Sequence, residues 1–174
     1  MLTGPPAAGK STTGRLVAQA RPSCAFIEVD DLRHLIVSGH RAPWEADGGP
    51  EQQLLGVRNA CALVRAFAAS SFESVVADMV DPETVHLYRR LDTGAVIVAL
   101  RLSFEEAQRR ASTRVRHITD AEFHSLYVLA TATSGLADVV LDVDSLDISA
   151  QVRLIERVWA MHGATITPTI SEGE

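Results

Sequence analysis

A glycine-rich run near the start of the chain carries the clearest chemical signal. Residues 4–11 read Gly-Pro-Pro-Ala-Ala-Gly-Lys-Ser, which matches the G-x-x-x-x-G-K-[ST] phosphate-binding loop (P-loop, or Walker A motif) at every fixed position. Backbone amides of such a loop cradle a phosphate, helped by the dipole of the helix that follows. The motif predicts that Lys10 reaches the β- and γ-phosphates of a nucleotide and that the Ser11 hydroxyl binds Mg²⁺. The expected nucleotide contacts are Gly4, Pro5, Pro6, Ala7, Ala8, Gly9, Lys10, Ser11 and Thr12.

Lys10 stands out in the composition as well. Of the 16 basic residues, every one except Lys10 is arginine. A compact ammonium on a flexible stem suits this loop, whereas a planar guanidinium is wider and needs a different loop. The alternatives are a chance match in a Gly/Ala/Pro-rich segment and a helix-capping role for Ser11 and Thr12.

Carboxylates follow two apolar, strand-like segments. Asp30 and Asp31 end the segment 24–29, and Asp78 lies near the end of the segment 74–79. Ligands of open parallel sheets bind beyond the carboxyl ends of the strands, and phosphoryl transfer needs a base for the acceptor hydroxyl. We therefore predict that Asp30 is the general base. Asp78 is expected to hold Mg²⁺ through water or to bind the acceptor. The alternatives are a helix cap for Asp30 and a solvated loop acid for Asp78.

Four arginines cluster after the fourth strand-like segment, namely Arg109, Arg110, Arg114 and Arg116. Arg110 and Arg114 lie one helical turn apart and share a face. Charge develops on a transferring phosphoryl group, so a cationic clamp is expected there. We predict that Arg110 and Arg114 are catalytic and belong to a lid at about residues 110–120. The alternative is a solvated, charged helix face.

Two elements are expected to face the acceptor, namely the segment 34–45 and the helix after Pro50, and the loop at residues 40–50 leads from one to the other. It is polar and contains Gly and Pro, yet it includes Trp44, one of two tryptophans in the chain. An apolar wall beside charges that read hydroxyl or carboxylate groups is typical of a small-molecule pocket. The alternative is that Trp44 only anchors the loop on the next helix. The predicted acceptor contacts are Asp30, Arg33, Arg41, Trp44, Glu45 and Asp78.

The elements that must position these residues alternate along the chain. Strand patterns cover residues 1–3, 24–29, 74–79, 95–102 and 138–143, and helical patterns follow each of them, including 31–37. Ser103 and Thr119 begin two predicted capping boxes. Such alternation predicts an α/β fold, with a parallel sheet between two helical layers. We expect a single domain over residues 1–162 and a flexible tail over 163–174.

The composition and the lack of certain motifs exclude several classes of protein. The chain has 174 residues, 47% hydrophobic and 22% charged, and a net charge of −6, which argues against global disorder and against a nucleic-acid-binding protein. No signal peptide and no membrane-length apolar run is visible, and two cysteines favour free thiols in a reducing cytoplasm. The histidines show no zinc spacing, and there is no G-x-S-x-G turn. Monomer and homodimer both stay open.

With these residues in place, the chain resembles the small P-loop kinases, such as gluconate kinase, shikimate kinase and chloramphenicol phosphotransferase. It is most similar to predicted bacterial kinases that share Phe26-Ile27-Glu28-Val29-Asp30 and Arg41-Ala42-Pro43-Trp44-Glu45. The resemblance covers about residues 1–160. It implies a five-stranded sheet of order 2-3-1-4-5, ATP as donor, Mg²⁺ and a hydroxylated small-molecule acceptor. It also implies that Asp30 is the base, that Arg110 and Arg114 lie on the lid, and that the loop with Asp144 holds adenine.

The leading interpretation is an ATP-dependent kinase of a metabolite or an antibiotic. A regulatory GTPase would need an N-K-x-D motif, which a chain whose only lysine is Lys10 cannot contain. A nucleotide-binding protein without phosphotransfer, such as a sensor or a degenerate kinase, is the remaining alternative.

Overall fold

A five-stranded sheet forms the centre of the computed structural model, which describes residues 1–92, 94–113 and 118–163. All the strand pairs are parallel, and the order is β2-β3-β1-β4-β5. Both features confirm the predicted fold class. The strands are β1 (Leu2–Thr3), β2 (Cys24–Glu28), β3 (Glu73–Ala77), β4 (Val98–Arg101) and β5 (Val139–Asp142).

Helices connect the strands, and polar side chains cap several of them. The Asp81 carboxylate accepts a hydrogen bond from the Thr84 amide, and Thr119 forms the predicted capping box with Glu122. The helices are α1 (Lys10–Gln19), α2 (Val29–Arg33), α3 (Gly49–Ala69), α4 (Pro82–Leu91), α5 (Phe104–Ala111), α6 (Asp120–Thr133) and α7 (Ile148–Gly163), with a short 3₁₀ turn at Ser134–Leu136.

Two apolar clusters lie on opposite faces of the sheet. One contains Val17 of α1 and Val158 of α7, while the other contains Val57 of α3 and Val85 of α4. Because each strand is covered on both sides, the sheet can be almost wholly apolar, as its sequence pattern indicates. The arrangement confirms the predicted three layers of helix, sheet and helix.

The helix after β2 differs from the prediction. It covers Val29–Arg33, whereas the apolar spacing predicts residues 31–37. Leu35 is 72% exposed and Val37 is 98% exposed, so no apolar face holds a longer helix here. As a result, Asp30 lies in the first turn of α2 and not at the end of the strand.

Strand β4 is also shorter than predicted. It begins at Val98, whereas the apolar run begins at residue 95. The Ile97 amide donates to the Asp138 carboxylate at 2.7 Å and is not part of the sheet ladder. Long-range pairing of this kind leaves no local pattern in the sequence.

Among the described residues, no helix is long and apolar enough to cross a membrane. The predicted tail over 163–174 lies outside the described residues, apart from the end of α7 at Gly163.

Candidate active site

The P-loop connects the end of β1 to the start of α1 and depends on two glycines. Gly4 has φ = 140°, and a Cβ atom there would lie 2.3 Å from the Leu100 carbonyl oxygen. Gly9 has φ = 93° and precedes the first turn of α1. No side chain fits at Gly4, and only glycine adopts these two backbone conformations without strain. The loop therefore leads directly into the start of α1, where the amides of the first helical turn can meet an anion.

Lys10 is held against this loop. Its ammonium donates to the Gly4 carbonyl at 2.8 Å and to the Pro5 carbonyl at 3.0 Å. Burial of the ammonium lowers the pKa of Lys10, although the residue as a whole is partly exposed, and the carboxylates of Asp30 and Glu28 act in the opposite direction. Lys10 therefore interacts electrostatically with Glu28 at the end of β2 and with Asp30 in the first turn of α2.

Glu28 is a site residue that the sequence analysis did not single out. It is the last residue of β2, two positions before Asp30. Burial raises the pKa of Glu28, and a hydrogen bond with Ser11 partly opposes that rise. The signal in the sequence was an acid at the end of a buried strand. The general-base role was assigned instead to Asp30, which follows two positions later.

Asp30, Arg33 and Asp78 form a chain of ion pairs. Arg33 donates to the Asp30 carboxylate at 2.7 Å and to the Asp78 carboxylate at 2.9 Å. The Asp30 side chain is 67% exposed and that of Arg33 is 7% exposed. The exposed acid is thus fixed by a buried guanidinium. This enclosure does not fit the predicted direct contact between Arg33 and an acceptor.

Asp78 is fully enclosed, and its side chain has no exposed surface. Its oxygens accept hydrogen bonds from Arg33, from the Tyr88 hydroxyl at 2.8 Å and from the Met79 amide at 2.8 Å. Burial raises the pKa of Asp78, while Arg33 and Tyr88 act against that rise. This environment fits neither the predicted metal contact nor the predicted acceptor contact. The side chain is closed to solvent, and both of its oxygens already accept hydrogen bonds from protein donors. Asp78 is instead the buried counter-charge of Arg33.

Arg110 fixes the loop between β5 and α7. Its guanidinium donates to Glu106 at 2.6 Å and to the carbonyls of Val143 at 2.8 Å and Asp144 at 3.1 Å. Asp144 accepts from the Ser103 amide at 2.6 Å and from the Ser103 hydroxyl at 2.8 Å, and these bonds lower its pKa. Arg110 and Asp144, which were both predicted to bind nucleotide, therefore hold the loop between β5 and α7 against α5.

The rest of the predicted lid falls partly outside the described residues. Arg114 and Arg116 both lie there, so their predicted role stays a prediction. Arg109 is described, and it forms an exposed ion pair with Glu106 at 2.6 Å. An exposed pair of this kind contributes little to stability.

The candidate acceptor segment is tied to α3. Gln52 accepts from the Arg41 amide at 2.7 Å and donates to the Gly39 carbonyl at 2.7 Å. Glu45 accepts from the Ala42 amide at 2.6 Å, and its carboxylate lies 3.9 Å from the Arg41 guanidinium. Trp44 is 49% exposed. The segment thus contains a half-exposed indole, next in the chain to the ion-paired Glu45, and its role in acceptor binding stays a prediction.

Gln151 of α7 is a second residue that the sequence analysis missed. It is 1% exposed, and its side-chain oxygen accepts from the Thr13 hydroxyl at 3.1 Å. The same oxygen would lie 2.9 Å from a Cβ atom at Gly9. The last helix of the fold therefore packs directly on the start of α1. A glutamine in an amphipathic helix carries no sequence signal for this contact.

Solved structures with the same fold include small-molecule kinases. A sugar kinase from Janibacter sp. HTCC2649 aligns with a TM-score of 0.70 at 20% identity, over 99% of this chain and 96% of that chain. Shikimate kinase from Bacteroides thetaiotaomicron gives 0.64 at 18% identity over 91% and 96%. A gluconokinase from Sinorhizobium meliloti 1021 gives 0.57 at 20% identity over 92% and 94%. The fold is that of the small P-loop kinases, as the resemblance implies.

No family model matches the sequence, and no curated protein matches it either.

Proposed function

We propose that this chain is an ATP-dependent phosphotransferase that moves the γ-phosphate of ATP to a hydroxyl group of a small molecule. One observation carries the proposal: Lys10 lies in the P-loop that follows β1, and the carboxylates of Glu28, at the end of β2, and Asp30, in the next helical turn, raise its pKa against the effect of burial. A phosphate-binding cation beside an exposed carboxylate is the minimum equipment for in-line transfer to a hydroxyl. The kinase-type fold supports this assignment.

In the proposed reaction, Lys10 leaves the Gly4 and Pro5 carbonyls and binds the β- and γ-phosphates. Asp30 accepts the proton of the attacking hydroxyl, because its carboxylate is exposed and anchored on one side by Arg33. Arg33 is a positioning residue here, and Asp78 holds Arg33 in place. Arg114, which lies outside the described residues, keeps its predicted role as a lid arginine that supplies further positive charge during transfer.

Mg²⁺ fits the donor set beside the P-loop. Ser11 supplies a hydroxyl oxygen, and Glu28, which is hydrogen-bonded to it, supplies a carboxylate. No group of three or more His, Cys, Asp or Glu in the described part of the chain could hold a metal. The two oxygen donors of Ser11 and Glu28 suit Mg²⁺, because this ion takes few protein ligands and completes its shell with water and phosphate oxygens. When bound, the ion neutralises charge on the phosphates.

The acceptor is proposed to be a hydroxylated molecule of metabolite or small-antibiotic size with an apolar part. Leu35, Val37 and Trp44 all expose apolar surface in the segment between α2 and α3. Arg41 and Glu45 lie beside Trp44 and can read hydroxyl or carboxylate groups. A polymer is not expected in a pocket built from one short segment.

A thermal-shift and ATP-consumption screen tests the proposed function. The compounds are sugars, sugar acids, nucleosides and hydroxylated antibiotics, each measured with the native chain and with Arg153→Ala as an exposed control. ATP with Mg²⁺ should raise the melting temperature, since a ligand that binds only the folded state stabilises it. An acceptor should then release ADP. No shift at millimolar nucleotide would overturn the kinase assignment.

A nucleotide-binding protein without phosphotransfer is the second candidate. It is favoured by Arg110, whose Nε and one terminal nitrogen are bound to Glu106 and to backbone carbonyls, so the side chain is already used to hold the loop after β5. In that case ATP raises the melting temperature, but no acceptor in the screen releases ADP.

The ion-pair chain predicts a positioning effect at Arg33. Lysine keeps the charge but cannot contact both carboxylates in the same geometry. With an acceptor in hand, Arg33→Lys should lower kcat by about 10²-fold, the cost of a misplacement near 1 Å, while the KM for ATP stays within twofold. Arg58→Lys on α3 is the matched control. A raised acceptor KM with unchanged kcat would contradict the positioning role and would show that Arg33 binds the acceptor directly.

The acceptor wall predicts a different pattern for Trp44. Because the indole is 49% exposed, Trp44→Ala should leave the melting temperature nearly unchanged. It should raise the acceptor KM by roughly 10–100-fold, as expected when an apolar contact of 1–3 kcal/mol is lost, with unchanged ATP affinity. Steady-state kinetics with both substrates varied separates the two constants. A large fall in melting temperature with no change in KM would make Trp44 a packing residue.

A further inference from the structure

The short helix α2, which carries Asp30, packs closely against α3 at Gly56. Gly56 is buried in the first half of α3. A Cβ atom built there would lie 3.1 Å from Arg33 Nε, 3.2 Å from Arg33 Cγ and 3.2 Å from Val29 Cγ1. Carbon atoms pack best at about 3.5–4.0 Å, so a single methyl group at this position would push on two side chains of α2.

Space, and not backbone conformation, requires glycine at position 56. Gly56 lies inside the 21-residue helix α3, and it is not one of the glycines with a positive φ. A glycine in a helix interior is destabilising relative to alanine, because it loses more backbone entropy on folding. Alanine would therefore suit α3 better if α3 stood alone. The reason for the glycine lies in the side chains of α2 that pack on it.

The Arg33 guanidinium occupies this space although the contact is unfavourable for stability. Its two terminal nitrogens donate to Asp30 and Asp78. Its Nε, which lies against Gly56, is buried and has no hydrogen-bond partner among residues 1–92, 94–113 and 118–163. A buried donor without a partner is destabilising. Two destabilising features thus meet at one contact, which is typical of positions that serve function and not stability.

The two carboxylates that Arg33 holds are not equally free to move. Asp78 has no exposed side-chain surface, and the Tyr88 hydroxyl donates to it at 2.8 Å. Asp30 is 67% exposed and lies on a helix of five residues. A displacement of the guanidinium is therefore passed to Asp30, the proposed base, and not to Asp78.

We propose that Gly56 is a positioning residue for phosphoryl transfer. Because it has no side chain, Arg33 can lie against α3 with one nitrogen on Asp78 and the other on Asp30, and this fixes the Asp30 carboxylate for the acceptor hydroxyl. The role rests on the proposed function, in which Asp30 accepts the proton of that hydroxyl. Gly56 acts through Arg33, so α3 takes part in the reaction at a position that has no side chain.

Gly56→Ala tests this role by steady-state kinetics. It should lower kcat by about 10-fold, less than a full 1 Å misplacement would, because the added methyl group displaces its neighbours by only a few tenths of an ångström. The KM for ATP should stay within about twofold, since the P-loop is untouched. The melting temperature should stay within about 4 °C of the native value, because the gain in helix propensity opposes the crowding. Gly135→Ala is the matched control, since a Cβ atom there meets nothing within 4 Å.

A double variant separates positioning from a general loss of structure. Lysine at position 33 lacks the Nε–H group and cannot hold both carboxylates in the same geometry. If Gly56 acts through Arg33, adding Gly56→Ala to Arg33→Lys should lower kcat by less than about threefold further, because residues of one network are not additive. A full second loss would overturn the positioning role. A native kcat in Gly56→Ala alone would overturn it as well.

An NMR signal measures the same contact without turnover. The Arg33 Nε–H is buried, so its exchange with water should be slow, and its resonance should shift in Gly56→Ala but not in Gly135→Ala. An unshifted resonance would overturn the inference, and so would a shifted resonance with an unchanged kcat, while in both cases the proposed function stands. A native chain that binds MgADP but phosphorylates no acceptor would instead remove the proposed function, and the role of Gly56 with it.

Discussion

Lys10→Ala should abolish ATP turnover while the chain stays folded. The ammonium is the charge that the P-loop offers to the phosphates, and its protein contacts are two backbone carbonyls, of Gly4 and Pro5. Removal of one such electrostatic group costs about 10²–10³-fold in kcat. The unfolding free energy should change little, because the lost hydrogen bonds are offset by the removal of a desolvated charge.

ADP release in a coupled assay measures the turnover, and urea unfolding measures the stability. Lys10→Arg is the informative companion, since it keeps the charge and changes only the shape of the donor. It should also be inactive if the loop needs a compact ammonium. Arg153→Ala controls for the loss of a positive charge elsewhere. Retained turnover in Lys10→Ala would remove this lysine from the reaction.

Asp30→Asn should keep nucleotide affinity and lose phosphoryl transfer. The amide has the shape of the carboxylate but cannot accept the proton of the acceptor hydroxyl. A general base contributes about 10²–10⁴-fold, so the transfer rate should fall by that factor. Stability should be little changed, because Asp30 is 67% exposed.

Asp31→Asn is the matched control, since Asp31 is the exposed neighbour in the same helical turn. It should transfer phosphate at nearly the native rate. Isothermal titration with MgADP checks that both variants still bind nucleotide. If Asp30→Asn works at a near-native rate, another group takes the proton, and Glu28 becomes the first residue to substitute.

Local patterns in the sequence were enough to predict the sheet and the P-loop. The fixed positions Gly4, Gly9 and Lys10 all fall within eight residues, so the motif can be recognised locally, and the apolar runs indicate which segments enter the sheet. The capping box at Thr119 is equally local, because its partner is three residues away. The motif, the apolar runs and the capping box can each be recognised from a short stretch of sequence.

The roles that could not be predicted depend on long-range contacts. Asp78 is enclosed by Arg33, which lies 45 residues earlier, and Arg110 binds carbonyls 33–36 residues later. Nothing in the local pattern distinguishes an acid that meets solvent from one that meets a buried guanidinium. The sequence pattern placed Asp78 near the end of β3, but it could not show that both carboxylate oxygens accept hydrogen bonds from protein donors.

The contact between Gln151 and Thr13 has a consequence for biosynthesis. The two residues are 138 positions apart, and the glutamine oxygen also closes the space beside Gly9. During translation, the phosphate-binding loop leaves the ribosome about 140 residues before the helix that buttresses it, since Thr13 and Gln151 are 138 positions apart. A nascent chain that still lacks α7 therefore holds the loop without this support, and we expect nucleotide to stabilise the loop fully only after α7 has emerged.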